Sequence, residues 1–123
     1  MSAHISLITL GVADIARATS FYERLGFVLA LWGRDAQRDD ALAGEVWTGN
    51  GGMVVAQNLA SEAAVDAAMA LAEAAGARIL KIAAKTFWGG YDGHYADADG
   101  HVWEVAFNPF WQLDEHGRVK LPE

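Results

Sequence analysis

The stretch that decides the fold runs from Phe87 to Pro109 and reads FWGGYDGHYADADGHVWEVAFNP. It holds six of the chain's 13 aromatic side chains, two of its four histidines and a single glutamate, Glu104. Alternating runs over Tyr91 to Ala96 and His101 to Phe107 are typical of β-strands. Between them, Asp97 to Gly100 has the aspartates and glycine of a tight turn. The stretch therefore predicts a β-hairpin with a glutamate in its apolar second strand.

The pleat of that second strand assigns Glu104 to a face. Side chains alternate across a strand, so Val102, Glu104 and Ala106 share one face, and His101 to Phe107 at odd numbers share the other. The odd-numbered set is bulkier and suits packing under helices, which leaves the smaller set on the other face, against either a second layer or a cavity. The register of the hairpin, which the turn leaves open, decides whether His94 or the pair of Tyr91 and Tyr95 accompanies Glu104.

Composition limits the class of protein. At 123 residues, of which 53% are hydrophobic, the chain is expected to form a single folded domain over residues 1–123. It has no cysteine, which excludes disulfides and thiolate metal sites and suits a cytoplasmic protein. Sixteen acidic against nine basic residues oppose nucleic-acid binding. No apolar run is long enough for a membrane span, so we expect no membrane partner.

The chain is predicted to contain two units, each with a strand and a helix, and the second unit leads into the hairpin. Asp14 and Ser61 stand where helix N-caps belong, and Gly26 and Gly76 stand where helices end. The predicted strands are Ile5–Gly11, Phe27–Trp32, Glu45–Thr48, Met53–Asn58, Arg78–Ile82 and a small terminal hairpin closing at Val119 and Leu121. The charged segment Gly33 to Gly44 is expected to be a solvated loop, and residues 49–52 a turn. This order predicts an α+β protein with helices on one face of a mostly antiparallel sheet.

Two stretches carry a resemblance to a known family. They are ISLITLGVADIARATSFYERLGF, residues 5–27, and GARILKIAAKTFWGGYDGHYADADGHVWEVAFNP, residues 76–109. They resemble the vicinal oxygen chelate superfamily of glyoxalases, bleomycin resistance proteins and extradiol dioxygenases. The resemblance implies two βαβββ modules whose sheets curl around a shared cavity. The modules would span about residues 1–50 and 51–110, followed by a polar tail over 110–123.

The resemblance also implies a metal ligand on each of four strands, and three of these positions can be assigned. Glu104 falls on the last, but Leu7 and Met53 fall on two others, and no carboxylate or histidine stands clearly at the fourth. Leucine and methionine cannot hold a hard divalent ion, which needs oxygen or imidazole donors. His94 and His101 flank a tight turn and are not expected to replace them. We therefore expect no metal and no other cofactor.

The middle of the chain departs from the family pattern. Between Gly26 and Ser61 the resemblance implies four strands, but only three apolar runs are present. One strand or a strand pair is therefore expected to be shortened or lost, which would leave a sheet edge or a cavity wall open. Open edges are commonly covered by a partner chain. We therefore expect a homodimer that completes the cavity.

These features favour a metal-free protein that binds a small hydrophobic or aromatic molecule beside Glu104. Large rings with polar tips suit such a guest, and the candidate walls are Trp32, Trp47, Phe87, Trp88, Tyr91 and Tyr95. One alternative is a lyase or isomerase that uses Glu104 as an acid/base or a metal ligand. Another is an assembly module with a collapsed cavity. A buried, unpaired Glu104 would have a raised pKa, whereas pairing with Arg or Lys would make it structural.

Overall fold

The computed structural model describes residues 5–25, 30–44, 46–47 and 52–120. It is an α+β fold with a mixed six-stranded sheet and three helices, which confirms the predicted class. The elements are β1 (Leu7–Val12), α1 (Ile15–Leu25), β2 (Ala30–Gly33), α2 (Arg34–Asp40), β3 (Met53–Asn58), α3 (Glu62–Ala74), β4 (Arg78–Lys85), β5 (Tyr91–Ala96), β6 (Val102–Phe107), β7 (Gln112–Leu113) and β8 (Val119–Lys120). None of the three helices has the length and apolarity of a membrane span.

The strand order in the main sheet is β2-β1-β3-β6-β5-β4, and β7 and β8 form a separate small hairpin. Strands β1 and β3, β5 and β6, and β4 and β5 pair antiparallel, whereas β1 and β2, and β3 and β6, pair parallel. The run β3, α3, β4, β5, β6 is one complete βαβββ module. The sheet is not closed, since β2 and β4 lie at its two edges in the described chain.

The hairpin predicted from Phe87–Pro109 is present in β5 and β6. Its turn is closed by Asp97, whose carboxylate accepts hydrogen bonds from the backbone amides of Asp99 and His101. Gly100 supplies the left-handed backbone that the turn needs, with φ 86°. His101 is exposed and bonds through Nδ1 to Asp97 Oδ2 at 2.9 Å. The aspartates of this segment therefore serve the turn.

The helix caps also follow the sequence. Asp14 Oδ1 accepts a hydrogen bond from the Arg17 amide at 2.9 Å, and Ser61 Oγ accepts one from the Ala64 amide at 3.1 Å. These bonds satisfy amides that have no partner inside the helix. At the other end of α3, Gly76 takes φ 96° and ends the helix.

The prediction of a solvated loop over Gly33–Gly44 was wrong, because Arg34–Asp40 forms α2. One side of α2 is buried although most of its residues are charged. Gln37 is buried there, and its Nε2 donates a hydrogen bond to the Thr9 carbonyl at 3.3 Å. The chain that follows continues this packing. Two fully buried alanines there, Ala41 and Ala43, contact a core cluster on β3 and β6. The charged sequence of this segment therefore does not indicate α2, which is stabilised by tertiary packing.

The predicted strand Glu45–Thr48 can be checked at its two central residues only. Val46 and Trp47 lie in a turn, and both of their amides donate to the Ala43 carbonyl, at 3.0 and 2.8 Å. They are therefore not in a strand. Glu45, Thr48, the expected turn at 49–51, the Gly26 cap and the start of the strand at 27–29 lie outside the described residues.

Helix α3 packs closely on one face of the sheet. Val65 and Met69 of α3 are buried against Val105 of β6. Gly93 of β5 lies directly beneath Met69, and a Cβ at Gly93 would stand 2.9 Å from Met69 Cε and 3.2 Å from the Ala83 Cα. Because Gly93 has no side chain, α3 can lie this close to the sheet.

Replacing Gly93 by alanine is expected to lower the free energy of unfolding by about 1–3 kcal/mol, because the new methyl group overpacks the contact with α3. Gly33→Ala is the matched control, since a Cβ at Gly33 meets no atom within 4 Å. Urea unfolding followed by circular dichroism measures both. Equal stability of the two variants would contradict the close packing.

Candidate functional site

Glu104 lies in one row of residues that crosses five strands. The backbone register pairs Leu7 with Ala56, Ala56 with Glu104, Glu104 with His94, and His94 with Lys81. Strand partners in register share a face of the sheet, so this row lies on the face opposite α3. The register thus answers the question that the turn left open: His94, and neither tyrosine, stands beside Glu104.

A cavity of about 210 Å³ opens on this face. Its walls come from β1, β2, β3, β6, the segment before β5 and the segment after β6. They are Leu7, Thr9, Ala30, Leu31, Trp32, Ala56, Asn58, Trp88, Glu104, Ala106, Asn108 and Trp111. The described walls are mostly apolar, with a few neutral polar groups and one ionisable side chain, Glu104.

The carboxyl group of Glu104 is largely buried and has no strong partner. Its side chain is 20% exposed. Among the described residues, its ionisable neighbour is His94, whose Nε2 lies 4.0 Å from Glu104 Oε2. The pKa of Glu104 is raised from 4.5 to about 7: burial is the largest cause, the negative charges of Asp92 and Asp40 add to it, and Lys81 opposes them. Glu104 is therefore divided between its protonated and ionised forms at neutral pH.

His94 is neutral under the same conditions. It is only 2% exposed, and burial lowers its pKa to about 3, with a smaller contribution from the positive charge of Lys81. Its Nδ1 is buried and makes no hydrogen bond to the described residues. His94 therefore contributes an uncharged ring beside the carboxyl group.

A buried ion pair lies next to this histidine. Lys81 Nζ stands 2.9 Å from Asp92 Oδ1 and 3.4 Å from Asp40 Oδ1. Burial lowers the pKa of Lys81, but the two aspartates more than offset this, so on balance its pKa is raised and it remains an ammonium. Asp40 comes from α2, so the helix missed by the sequence analysis supplies part of this cluster.

The residues around Glu104 do not fit the metal site that the family resemblance implies. Leu7 shares the row of Glu104, as expected, but Met53 pairs with Leu10 on the opposite face of the sheet. Placing a ligand position at Met53 was therefore wrong, since the register puts Ala56 between Leu7 and Glu104. Neither leucine nor alanine offers a donor atom, so Glu104 is the one ligand that the described residues place at these three positions, too few for a protein-held divalent ion.

A second group of donors lies nearby in Asp40, Asp92 and His94, whose ligand atoms are within 4.8 Å of one another. Lys81 already places its ammonium against both carboxylates, at the distances given above. A cation that belongs to the chain thus already occupies the space between these two carboxylates. The cluster is accounted for as an ion pair.

The predicted wall residues divide into three groups. Trp32 and Trp88 line the cavity with Glu104. Trp47 packs instead on the neighbouring core cluster, and Phe87 is 87% exposed. Tyr91 and Tyr95 belong to the opposite face: they pack in the cluster under α3, and the Tyr91 hydroxyl donates to Asp66 Oδ1 at 2.8 Å. The structure therefore brings three of the seven predicted residues together.

Several wall residues were missed by the sequence analysis. The alternation of β1 and β3 carries a signal for Thr9 and Asn58, since each is a polar residue on the face shared with Leu7 and Ala56. Asn108 and Trp111 follow β6 outside any repeating pattern, so no periodicity indicates them. Trp111 adds a third indole ring to the cavity.

A larger surface depression of about 550 Å³ lies elsewhere, between the end of α2 and the start of β4. Its walls have no aromatic side chain, and Arg38 there pairs with Asp35 and Asp39 at 3.3 and 3.4 Å. It contains no buried ionisable group. The cavity beside Glu104 is therefore the better candidate for a site of binding or chemistry.

Comparison with known structures shows proteins of the same fold. The chain is 33% identical to a glyoxalase-related enzyme from Fulvimarina pelagi, with 98% of this chain and 99% of that one covered and a TM-score of 0.56. It is also similar to a structure from Legionella pneumophila described as an NAD-dependent benzaldehyde dehydrogenase (19% identity, 82% and 96% covered, TM-score 0.62). A third similar structure is that of a glyoxalase/bleomycin resistance protein/dioxygenase superfamily member from Vibrio splendidus 12B01 (11% identity, 86% and 98% covered, TM-score 0.51). The last two likenesses bear on the fold alone.

The sequence comparison agrees with the structural one. No curated protein matches the chain. The family description that does match covers residues 4–105, which include both strand–helix units and most of the hairpin. The chain therefore belongs to the glyoxalase/bleomycin resistance protein/dioxygenase superfamily.

Proposed function

We propose that this protein binds a small hydrophobic or aromatic molecule, without a metal, in the cavity beside Glu104. The observation that carries the proposal is a cavity of about 210 Å³ lined by three indole rings around one buried carboxyl group. A cavity of about 150 Å³ can hold benzene, so this one suits a single ring with a short substituent. Because the cavity is open, the alternative of a collapsed assembly module has less support.

The cavity walls offer a bound molecule two kinds of contact, apolar and hydrogen-bonding. Leu7, Leu31 and the three tryptophans supply apolar surface, which favours a guest that leaves water. Thr9, Asn58 and Asn108 offer neutral hydrogen-bonding groups that can orient its polar substituent. A mostly apolar pocket with a few converging polar groups is typical of small-molecule sites.

Benzyl alcohol is expected to bind with a Kd of about 1 mM or tighter, which corresponds to about −4 kcal/mol. Ala30→Phe should weaken this binding at least about tenfold, because the new ring fills the cavity from β2. Ala70→Phe, on the exposed side of α3, is the matched control and should leave it unchanged. Tryptophan fluorescence and ligand-observed NMR give the affinities. Failure of the wild-type protein to bind benzyl alcohol or similar single-ring compounds would refute the proposal.

A second candidate function is acid/base catalysis by Glu104 in a lyase or isomerase. Two observations favour it: the pKa of about 7, and the 33% identity to a protein described as a glyoxalase-related enzyme. A general acid or base works best with a pKa near the working pH. Glu104 would take a proton from a guest atom held within hydrogen-bond distance and return it at a neighbouring atom, while the apolar walls exclude water.

The raised pKa that this candidate needs is measurable as a change in stability with pH. Folding favours protonated Glu104, so the wild type loses stability as pH rises from about 4.5 to about 7. Glu104→Gln cannot ionise, and its stability relative to wild type should rise by up to about 3 kcal/mol across that range. His94 titrates in the opposite sense in both proteins, so the difference between them isolates Glu104.

Urea unfolding of both proteins at pH 4.5, 6 and 8 makes this measurement, with Glu73→Gln as a control on the exposed side of α3. A difference between wild type and Glu104→Gln that stays constant over this range would show that Glu104 has an ordinary pKa.

We also propose that two copies associate into a homodimer. The sheet is open at β2 and β4, and β4 exposes Ile82, of which 81% is accessible. Open strand edges favour pairing with another chain. Sedimentation velocity at about 10 µM should therefore give the mass of a dimer, and a monomer at this concentration would contradict the proposal.

A further inference from the structure

The charge around the cavity has one sign. No lysine, arginine or histidine is among the described wall residues, and the single ionisable wall residue is an acid. Behind it, the charged groups that act on Glu104 are the carboxyl groups of Asp92 and Asp40 and one ammonium, that of Lys81. Two carboxyl groups for one ammonium leave an excess of negative charge before Glu104 is counted. A carboxylate or phosphate guest would therefore meet repulsion and find no cationic partner.

Among the described residues, no charge compensates that of Glu104. Lys81 is committed to Asp92 and Asp40, at 2.9 and 3.4 Å, and His94 is neutral at 4.0 Å. The part of the chain that the structure describes thus buries a carboxyl group at the wall of a cavity and places no neutralising charge beside it. Such an arrangement costs free energy unless something else supplies the positive charge.

The aromatic walls complete this pattern. Trp32, Trp88 and Trp111 come from three separate segments of the chain and line the same cavity. The face of an indole ring is electronegative and attracts cations, and it does so more strongly than tyrosine or phenylalanine. Several such rings around one acid are the usual surroundings of a bound ammonium group.

We propose that the cavity selects a small organic cation, whose ammonium group lies against Glu104 and whose apolar part lies among Trp32, Trp88 and Trp111. This inference rests on the proposed binding function and names the chemical class of its guest. The size of the cavity limits that guest to about one substituted ring or a quaternary ammonium of similar size. The chain's net charge of −7 adds a general attraction for such molecules.

Three probes of nearly equal size separate the possibilities: benzylamine, which is a cation at pH 8, benzyl alcohol, which is neutral, and benzoate, which is an anion. At pH 8 the wild-type protein should bind benzylamine at least about tenfold more tightly than benzyl alcohol and should not bind benzoate measurably. Isothermal titration calorimetry or ligand-observed NMR gives the three affinities. The ratio of the first two is the test, because shape and apolar area nearly cancel in it.

The variant Glu104→Gln keeps the size of the side chain and removes its charge. It should reduce the preference for benzylamine over benzyl alcohol to about twofold or less. Glu73→Gln removes an equal charge from the exposed side of α3 and should leave the preference unchanged. Circular dichroism establishes that both variants are folded.

The pH dependence supplies a second test that needs no variant. Glu104 faces His94 and Asp92 of β5, Lys81 of β4 and Asp40 of α2, while the row residues Leu7 and Ala56 of β1 and β3 carry no charge. The pKa of Glu104 is about 7. The preference for benzylamine should therefore grow at least severalfold between pH 6 and pH 8.

The outcomes are distinct. Equal binding of all three probes, tighter binding of benzoate, or a preference that survives in Glu104→Gln would overturn the cation proposal and leave the proposed small-molecule site standing. If none of the three probes binds, the proposed function fails, and the choice of guest fails with it.

Discussion

The parallel pairing of β3 with β6 is the constraint on which the site depends. It joins the module β3–β6 to β1 and β2, and its register sets Ala56 beside Glu104. A methyl group at this point leaves room that a larger side chain would fill. The antiparallel pairing of β1 with β3 then puts Leu7 and Thr9 opposite β3, so the cavity is formed by strands far apart in sequence. Any slip by one residue would move Glu104 under α3, where a carboxyl group would meet a packed apolar layer.

The two faces of the sheet use the hairpin in different ways. Odd-numbered residues of β5 and β6 pack under α3, where Gly93 permits close approach and Tyr95 stacks on Trp103 at 6.3 Å between ring centroids. Even-numbered residues bring Asp92, His94 and Glu104 to the cavity side. The rigid packing on one face thus holds the ionisable groups on the other. The candidate site on this face is therefore positioned by a packed layer on the other.

Electrostatic compensation is uneven across these groups. The ammonium of Lys81 serves the two aspartates, and His94 stays uncharged because it is buried beside that ammonium. Glu104 is left as the group whose charge depends on pH near neutrality and on what enters the cavity. Leu7 and Ala56, which share its row, have no donor atoms that could hold a metal beside it. The electrostatics of this face are therefore set by the charges of the described residues.

The sequence by itself determined the elements whose signals are local. Hairpin turn, strand alternation, the caps at Asp14 and Ser61 and the stop at Gly76 depend on residues within a few positions of each other, and all are present. The face of Glu104 also followed from its strand, because alternation needs no distant partner. Tertiary structure decided the rest. It buried Gln37, so that a charged segment forms a helix. It placed His94 beside Glu104, with Tyr91 and Tyr95 on the other face, and added Trp111 to the walls of the cavity. These depend on the register between distant strands and on packing across the sheet, which no local pattern in the chain encodes.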